Sequence, residues 1–294
     1  MERESCIQAF FAPFCSDPRK NSPASCENIT KKGRFDMKFR YILMTILTVV
    51  LLSTSAFAGE LNITAGPDGE VETITFETPA EVSADWFPLE AVVEHLPMQV
   101  TRDTQAHKYV IESEPMKKTW PALGRQEILE SSLQWRTKDF KVVNDVLYCS
   151  PWFLASRLGG VGFVHEGKLW YCNTTLDLDG HIQSAMLELK VVAPEEYAFA
   201  TKYLTGGIKA AEEDISDAQA YTYPNAAKPV CYISNGKLTG ATLASNIAHE
   251  AWHVHQAKTG MTIGEKDADA YEAKVLDTLL KEQRIWNGTI ALYE

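Results

Sequence analysis

The sequence predicts an α+β chain in two parts, and three observations carry that reading. The dipeptides Asn144-Asp145 and Glu166-Gly167 each sit between strand-like runs, as β-hairpins require. A Trp-Phe pair occurs in an amphipathic stretch twice, at Trp86-Phe87 and Trp152-Phe153, 66 residues apart. Beyond a polar stretch at 173–183 the pattern changes to helices separated by short strands, ending in helical windows at 239–258 and 265–283. The parts are expected at 59–178 and 179–294, behind an upstream segment at 1–58.

That upstream segment is read first. "MKFRYILMTILTVVLLSTSAFAGE" (37–60) has a short basic region, Lys38 and Arg40, and an apolar run from Tyr41 to Leu52. Ala56-Phe57-Ala58 follows, with the small residues a signal peptidase accepts, so cleavage after Ala58 is expected, with Gly59 as the mature N-terminus. The chain is then secreted, or periplasmic and held in the cell envelope. An uncleaved anchor is the alternative, opposed by the shortness of the run and the Ser and Thr near its end. Residues 1–36 hold Pro13, Pro18, Pro23 and three cysteines without apolar periodicity. Met37 is the expected start; a cytoplasmic tail on an anchored chain is the other reading.

The first part reads as a repeat. "SADWFPLEAVVEHL" (83–96) places Leu89, Val93 and Leu96 on one helical face, and "CSPWFLASRLGG" (149–160) does the same with Leu154 and Leu158 before a glycine stop. Strand-like sequence follows each, at 98–113 and 161–173, and 140–149 precedes the second. Each unit is therefore hairpin, helix, hairpin. In this pattern residues 68–173 resemble the copper amine oxidase N-terminal-like domain, a small α+β module of secreted bacterial proteins. The resemblance implies no copper site; a cell-envelope partner reached through this module is a separate expectation. His95, His107 and His165 stand alone, without ligand spacing.

Export would allow Cys149 and Cys172, which both end strand-like runs, to pair as a disulfide and leave Cys231 over. Three buried free thiols are the alternative.

In the second part "MLELKVV" (186–192) reads as a strand. Pro194-Glu195-Glu196 opens a helix to about Leu204, because proline suits a first turn and acids suit the helix N-terminus. Gly206-Gly207 breaks it. Residues 219–224 and 228–234 read as strands, Asn235-Gly236 as a turn, and Gly260 as the stop of the helix that begins near Thr239.

That helix contains "HEAWHVHQ" (249–256). Residues four apart share a helical face, so His249 and His253 can address one ion. Glu250 lies about 100° round from His249, beside such an ion, where a carboxylate can take a proton from a metal-activated water. A catalytic zinc needs a third protein ligand and an open position. "GEKDADAYEAK" (264–274) offers Glu265, which the connection at 257–264 can fold back toward His253, and Asp269, which can hold the outer nitrogen of a ligand histidine. Asp267 and Glu272 are the rival third ligands. His255 points about 200° from His253 and is read as a non-ligand.

His249-Glu250-Ala251-Trp252-His253 together with Glu265-Lys266-Asp267-Ala268-Asp269 resembles the gluzincin metallopeptidases, in particular the compact minigluzincins. The resemblance spans 186 to the C-terminus. It implies a small zincin-like α+β domain that holds one Zn²⁺ through His249, His253 and Glu265, with Glu250 as general base. It also implies that the strand before the active-site helix, Val230, Cys231, Tyr232 and Ile233, binds an extended peptide or protein substrate by strand addition. The family usually adds a Tyr or His at the oxyanion; Tyr221, Tyr223, Tyr232 and Tyr271 are available, and their spacing selects none.

With 28 basic against 39 acidic residues and a net charge of -11, the chain lacks the basic balance of a general nucleic-acid binder. The expectation is an exported zinc metallopeptidase. The alternative is a non-catalytic partner-binding protein on a degenerate zincin scaffold, opposed by the intact Glu250, because a purely structural site needs no base.

Overall fold

The computed structural model describes residues 57–79, 81–82, 85–103, 108–114, 118–124, 139–211, 219–234 and 238–291. The expected hairpins at 144–145 and 166–167 are present. Asn144, Asp145, Glu166 and Gly167 all have positive φ (50°, 65°, 52° and 74°), the conformation that matches a two-residue turn to the twist of its strands. The Asn235-Gly236 turn, His107 and the bulk of the signal-like segment lie outside the described residues.

Strands β1 (Phe57–Thr64) and β2 (Glu72–Thr78) pair antiparallel, and the short β3 (Phe87–Pro88) leads into helix α1 (Leu89–Val93). Strands β4 (Met98–Asp103), β5 (Lys108–Ser113) and β6 (Lys118–Gly124) form a sheet of their own. Then come β7 (Phe140–Val143), β8 (Val146–Cys149), helix α2 (Pro151–Arg157), β9 (Gly162–His165) and β10 (Lys168–Cys172). Hairpin, helix and hairpin thus occur in order twice, but their strands interleave. β1 lies parallel to β10, in a sheet ordered β2-β1-β10-β9, and β3 pairs with β8 in a sheet ordered β3-β8-β7.

This interleaving overturns the expected disulfide. Cys149 ends a strand of one sheet and Cys172 ends a strand of another. Both are buried free thiols, as is Cys231, and the Cys149 Sγ donates to the Phe87 carbonyl at 3.6 Å. Burial raises all three thiols above their ordinary range.

A second correction concerns 173–192. Asp177 caps helix α3 (Leu178–Val192), its carboxylate accepting from the Gly180 N–H at 2.9 Å, so half of the expected linker and the whole expected strand at 186–192 are helix. Helix α3 is buried on two sides. Leu187 joins the core formed by Leu61, Phe87, Leu154 and Leu169, while Ile182, Met186 and Leu189 join the core formed by Cys231, Ile233, Leu243 and Ile247. Apolar residues on both sides erase the one-sided periodicity that marks a surface helix.

Helix α4 (Pro194–Tyr203) follows, then strands β11 (Gly207–Ala210), β12 (Ala220–Thr222) and β13 (Val230–Ile233), and helices α5 (Gly240–Thr259) and α6 (Glu265–Ala291). The three strands form a sheet ordered β11-β13-β12. Glu282 of α6 ties the helix to the β9–β10 turn, accepting from the Glu166 N–H at 2.9 Å and lying 3.2 Å from His165 Nδ1. No helix among the described residues is long and apolar enough to cross a membrane.

Candidate metal centre

Helix α5 carries the site because its two sides differ. Leu243, Ala244, Ile247, Ala248, Ala251 and Val254 are fully buried in the second core. Ser245, His249, His253 and Gln256, at spacings of three and four, instead meet the start of α6. Gly260 ends α5 in the left-handed conformation (φ 74°), which glycine adopts without a Cβ penalty, and the chain reverses over a short connection into Glu265.

The reversal brings three ligand atoms together. His249 Nε2 and His253 Nε2 are 3.1 Å apart, and Glu265 Oε2 lies 3.2 Å from the first and 3.3 Å from the second. Zinc bonds of about 2.0–2.1 Å at tetrahedral angles put neighbouring ligand atoms about 3.3 Å apart. The triangle therefore has the size a tetrahedral zinc needs, and two imidazoles with one carboxylate are a donor set suited to it.

His253 has a hydrogen-bond partner at its outer nitrogen, His249 has only a close carboxylate there, and neither group is the one the sequence suggested. Gln256, fully buried, places its Oε1 3.1 Å from His253 Nδ1. That contact puts the proton on Nδ1 and turns the Nε2 lone pair toward the triangle. The same amide accepts from the Gly264 N–H at 3.3 Å and donates to the Gly264 carbonyl at 3.2 Å. Gln256 therefore sets both His253 and the residue next to Glu265. Its signal in the sequence is its position, three residues after His253 on the same helix.

For His249 the expected partner, Asp269, gives way to Glu272. Glu272 Oε2 lies 3.1 Å from His249 Nδ1, against 3.7 Å for Asp269 Oδ1. Asn246 Nδ2 donates to the other Glu272 oxygen at 2.9 Å, with Ser245 Oγ at 3.4 Å. The Glu272 approach is close but off the N–H direction, since His249 Nδ1 makes no hydrogen bond of good geometry. His249, Asp269 and Glu272 make a second group of metal-ligand spacing. It uses the opposite edge of the same ring and offers one imidazole against the triangle's two. Glu272 is thus placed behind His249, not as its co-ligand, and Asp267 belongs to neither group.

Glu250 is 7% exposed. Burial pushes its carboxyl above the ordinary range, His249 and His253 pull it back, and Glu265 and Glu272 push it up again. Glu250 also adds to the burial that raises the Cys231 thiol.

The expected substrate strand is corrected. β13 is central, parallel to β11 on one side and antiparallel to β12 on the other. Val230 is paired to β11, both edges of Cys231, Tyr232 and Ile233 are paired, and no further strand can add along them. Among the described residues the edges of this sheet belong to β11 and β12.

His255 turns away from the triangle, its Nδ1 2.8 Å from the Tyr203 hydroxyl. Tyr203 and His255 pack with Phe199, Trp252 and Tyr271, and Trp252 stacks on Tyr271 at 4.6 Å, which fixes α4 and α6 against α5. The Lys274–Glu196 ion pair, at 3.2 Å, adds a second link between α4 and α6. Burial, with Glu196 and Glu195 adding to it, pushes the Tyr271 hydroxyl up to about 12. At the sheet Tyr221 stacks on Tyr232, and Tyr223 meets both rings edge-on. Compared with protein-family models, with curated proteins and with solved structures, the chain matches none.

Proposed function

We propose that the chain is an exported zinc-dependent peptidase: residues 179–294 form the catalytic part, and residues 59–178 an N-terminal module that docks on an envelope partner. The observation that carries this reading is the triangle of His249 Nε2, His253 Nε2 and Glu265 Oε2, with sides of 3.1–3.3 Å, together with the buried Glu250, whose carboxyl feels the charge of all three. A structural zinc site closes its coordination with protein ligands, whereas three ligands and an adjacent base leave room for chemistry.

In this reading His249, His253 and Glu265 would hold one Zn²⁺, and a zinc ion there would supply Lewis acidity. The remaining work belongs to side chains. Glu250 accepts a water's proton and delivers it to the leaving amine, and its burial raises its proton affinity toward what both steps need. Gln256 keeps the His253 lone pair on the metal side, and Glu272 is poised to do the same for His249. The substrate lies extended along the open edge of β12, which packs on α5, with its backbone completing the sheet. Export follows from the 37–58 pattern. Cleavage after Ala58 would leave β1 from Gly59 to Thr64, still paired to β2 and β10.

The test is digestion of a peptide library by the purified protein, run as isolated, after chelation, and after zinc is restored. Cleavage that disappears with chelation and returns with zinc supports the proposal. Stoichiometric zinc with no cleavage of any peptide would reject it in favour of a non-catalytic binding protein.

A further inference from the structure

Where α5 begins, a cavity of about 260 Å³ opens between the two cores. Trp152 and Phe163 of the first core and Leu279 of the second give it apolar lining, beside the uncharged polar Ser156 and Gln283. Its near end is polar: Thr239, Gly240, Ala241 and Thr242 at the helix start, and Glu188 of α3. Gly160 closes against this end so tightly that an added Cβ would lie 2.5 Å from the Thr239 Cβ.

Two observations there lack an explanation within the fold. No side chain caps α5, and its first turn contains no acid, although first-turn N–H groups have no acceptor within the helix. Glu188 is only 5% exposed, and among the described residues no hydrogen bond or ion pair reaches its carboxyl. It faces the same helix end, with Oε2 3.8 Å from the position of a Cβ on Gly240. A carboxyl buried without a partner is a large cost unless something completes it. Glu188 is the sole ionisable side chain among the described residues lining the cavity, so no cation of the protein competes for a ligand.

The ligand must accept from the helix N–H groups and from a protonated carboxyl, and must carry apolar surface for the apolar lining. A cation fails the first condition, because a helix N-terminus repels it. We infer that the cavity binds a small carboxylate bearing an apolar group, its carboxylate seated between the Glu188 carboxyl and the first-turn N–H groups of α5. The same chemistry is offered by a free aryl or alkyl acid and by a peptide C-terminus with an apolar last residue. Gly240 and His249 are about 13 Å apart along the helix, and the inference does not depend on the metal reading.

Burial pushes Glu188 up to about 8, so the donor is present at neutral pH and lost above it. The experiment titrates 3-phenylpropionate into the full chain and follows the backbone amide signals of Ala241 and Thr242 by NMR, below and above that pH. The expected result is saturable shifts at neutral pH, with affinity weakening about tenfold for each pH unit above the Glu188 titration. Glu188→Gln keeps a donor without a titration and should bind with that pH dependence abolished; Glu188→Leu should not bind. An N-acetylated tripeptide ending in phenylalanine, beside its C-terminal amide, separates the two sources. Tighter binding of the peptide acid identifies a chain terminus, and tighter binding of phenylpropionate identifies a free acid. Three results would overturn the inference: no shift of either amide, preference for 3-phenylpropylammonium, or pH-dependent binding that persists in Glu188→Gln. The last two do not need the leucine variant to fold.

Discussion

The two ends of α5 hold buried carboxyls in opposite company. Near its C-terminal half, Glu250 is surrounded by His249, His253, Glu265 and Glu272, and two imidazoles offset part of the cost of its burial. At its start, Glu188 is buried as deeply, with burial as the cause of its shift and nothing among the described residues to offset it. The difference teaches how this fold distributes polarity. Where α5 meets α6, hydrogen bonds tie Asn246 to Glu272 and link His249 and His253 to Gln256 and Gly264, with the Glu272 carboxylate 3.1 Å behind His249. Where α5 meets α3, a polar group is left for something else to complete.

The largest effect that can break this contrast is at Glu265. It is 73% exposed and reaches the triangle from the far side of the connection. Glu265→Ala removes one of the three proposed ligands, and zinc content by mass spectrometry should fall to a small fraction of the parent's, with cleavage at background. Full zinc retention would move the third ligand elsewhere, with Glu272 the next residue to test. Gln256→Ala should have a smaller effect of the same kind. It frees the His253 ring and the Gly264 hairpin while leaving all three ligands, and zinc affinity by chelator competition should drop about 10–100-fold. An unchanged affinity would show that Gln256 is only packing.

The Glu188 end predicts a change in stability without a change in metal. Its folded value, about 8, lies above the ordinary glutamate value of 4.5, so the folded chain holds a proton that the unfolded chain releases. Stability should therefore fall as pH rises between those values, at up to about 1.4 kcal/mol per pH unit, and level off above the upper one. Urea unfolding of the parent minus Glu188→Gln isolates this term, because contributions common to both cancel. A difference that does not vary with pH would mean that Glu188 has a partner. The smallest expected effect is none at all. Reductant should leave the unfolding midpoint unchanged, and peptide mapping should find Cys149, Cys172 and Cys231 unbridged; a Cys149–Cys172 peptide would break the account of the two interleaved sheets.

These contrasts also explain what could be read from the residues alone. His249, His253 and Glu265 were legible because two lie one turn apart on one helix and the third follows a short reversal ended by Gly260. Asp269 and Glu272 differ by three positions on one helical face, and the longer side chain of Glu272, steadied by Asn246, gains the place beside His249; periodicity alone does not rank them. β13 looked like an open strand because Gly206-Gly207 reads as a helix break, while the strand it opens, β11, is too short and mixed to signal itself. α3 read as a strand because both its faces are buried. The cysteine pairing failed for a related reason, since β1 with β10 and β3 with β8 are pairings of distant segments. Turn dipeptides reveal hairpins, and they carry no information about which hairpins meet.

The central claim is that Glu250 is a base beside a zinc and not a structural acid. Glu250→Gln keeps size and hydrogen bonding but removes the basic carboxylate, so zinc content and peptide turnover measured on the same preparation decide it. The account predicts near-stoichiometric zinc with turnover reduced by about 10²–10⁴-fold, the range general base catalysis contributes. A variant that holds zinc and cleaves as fast as the parent would contradict it.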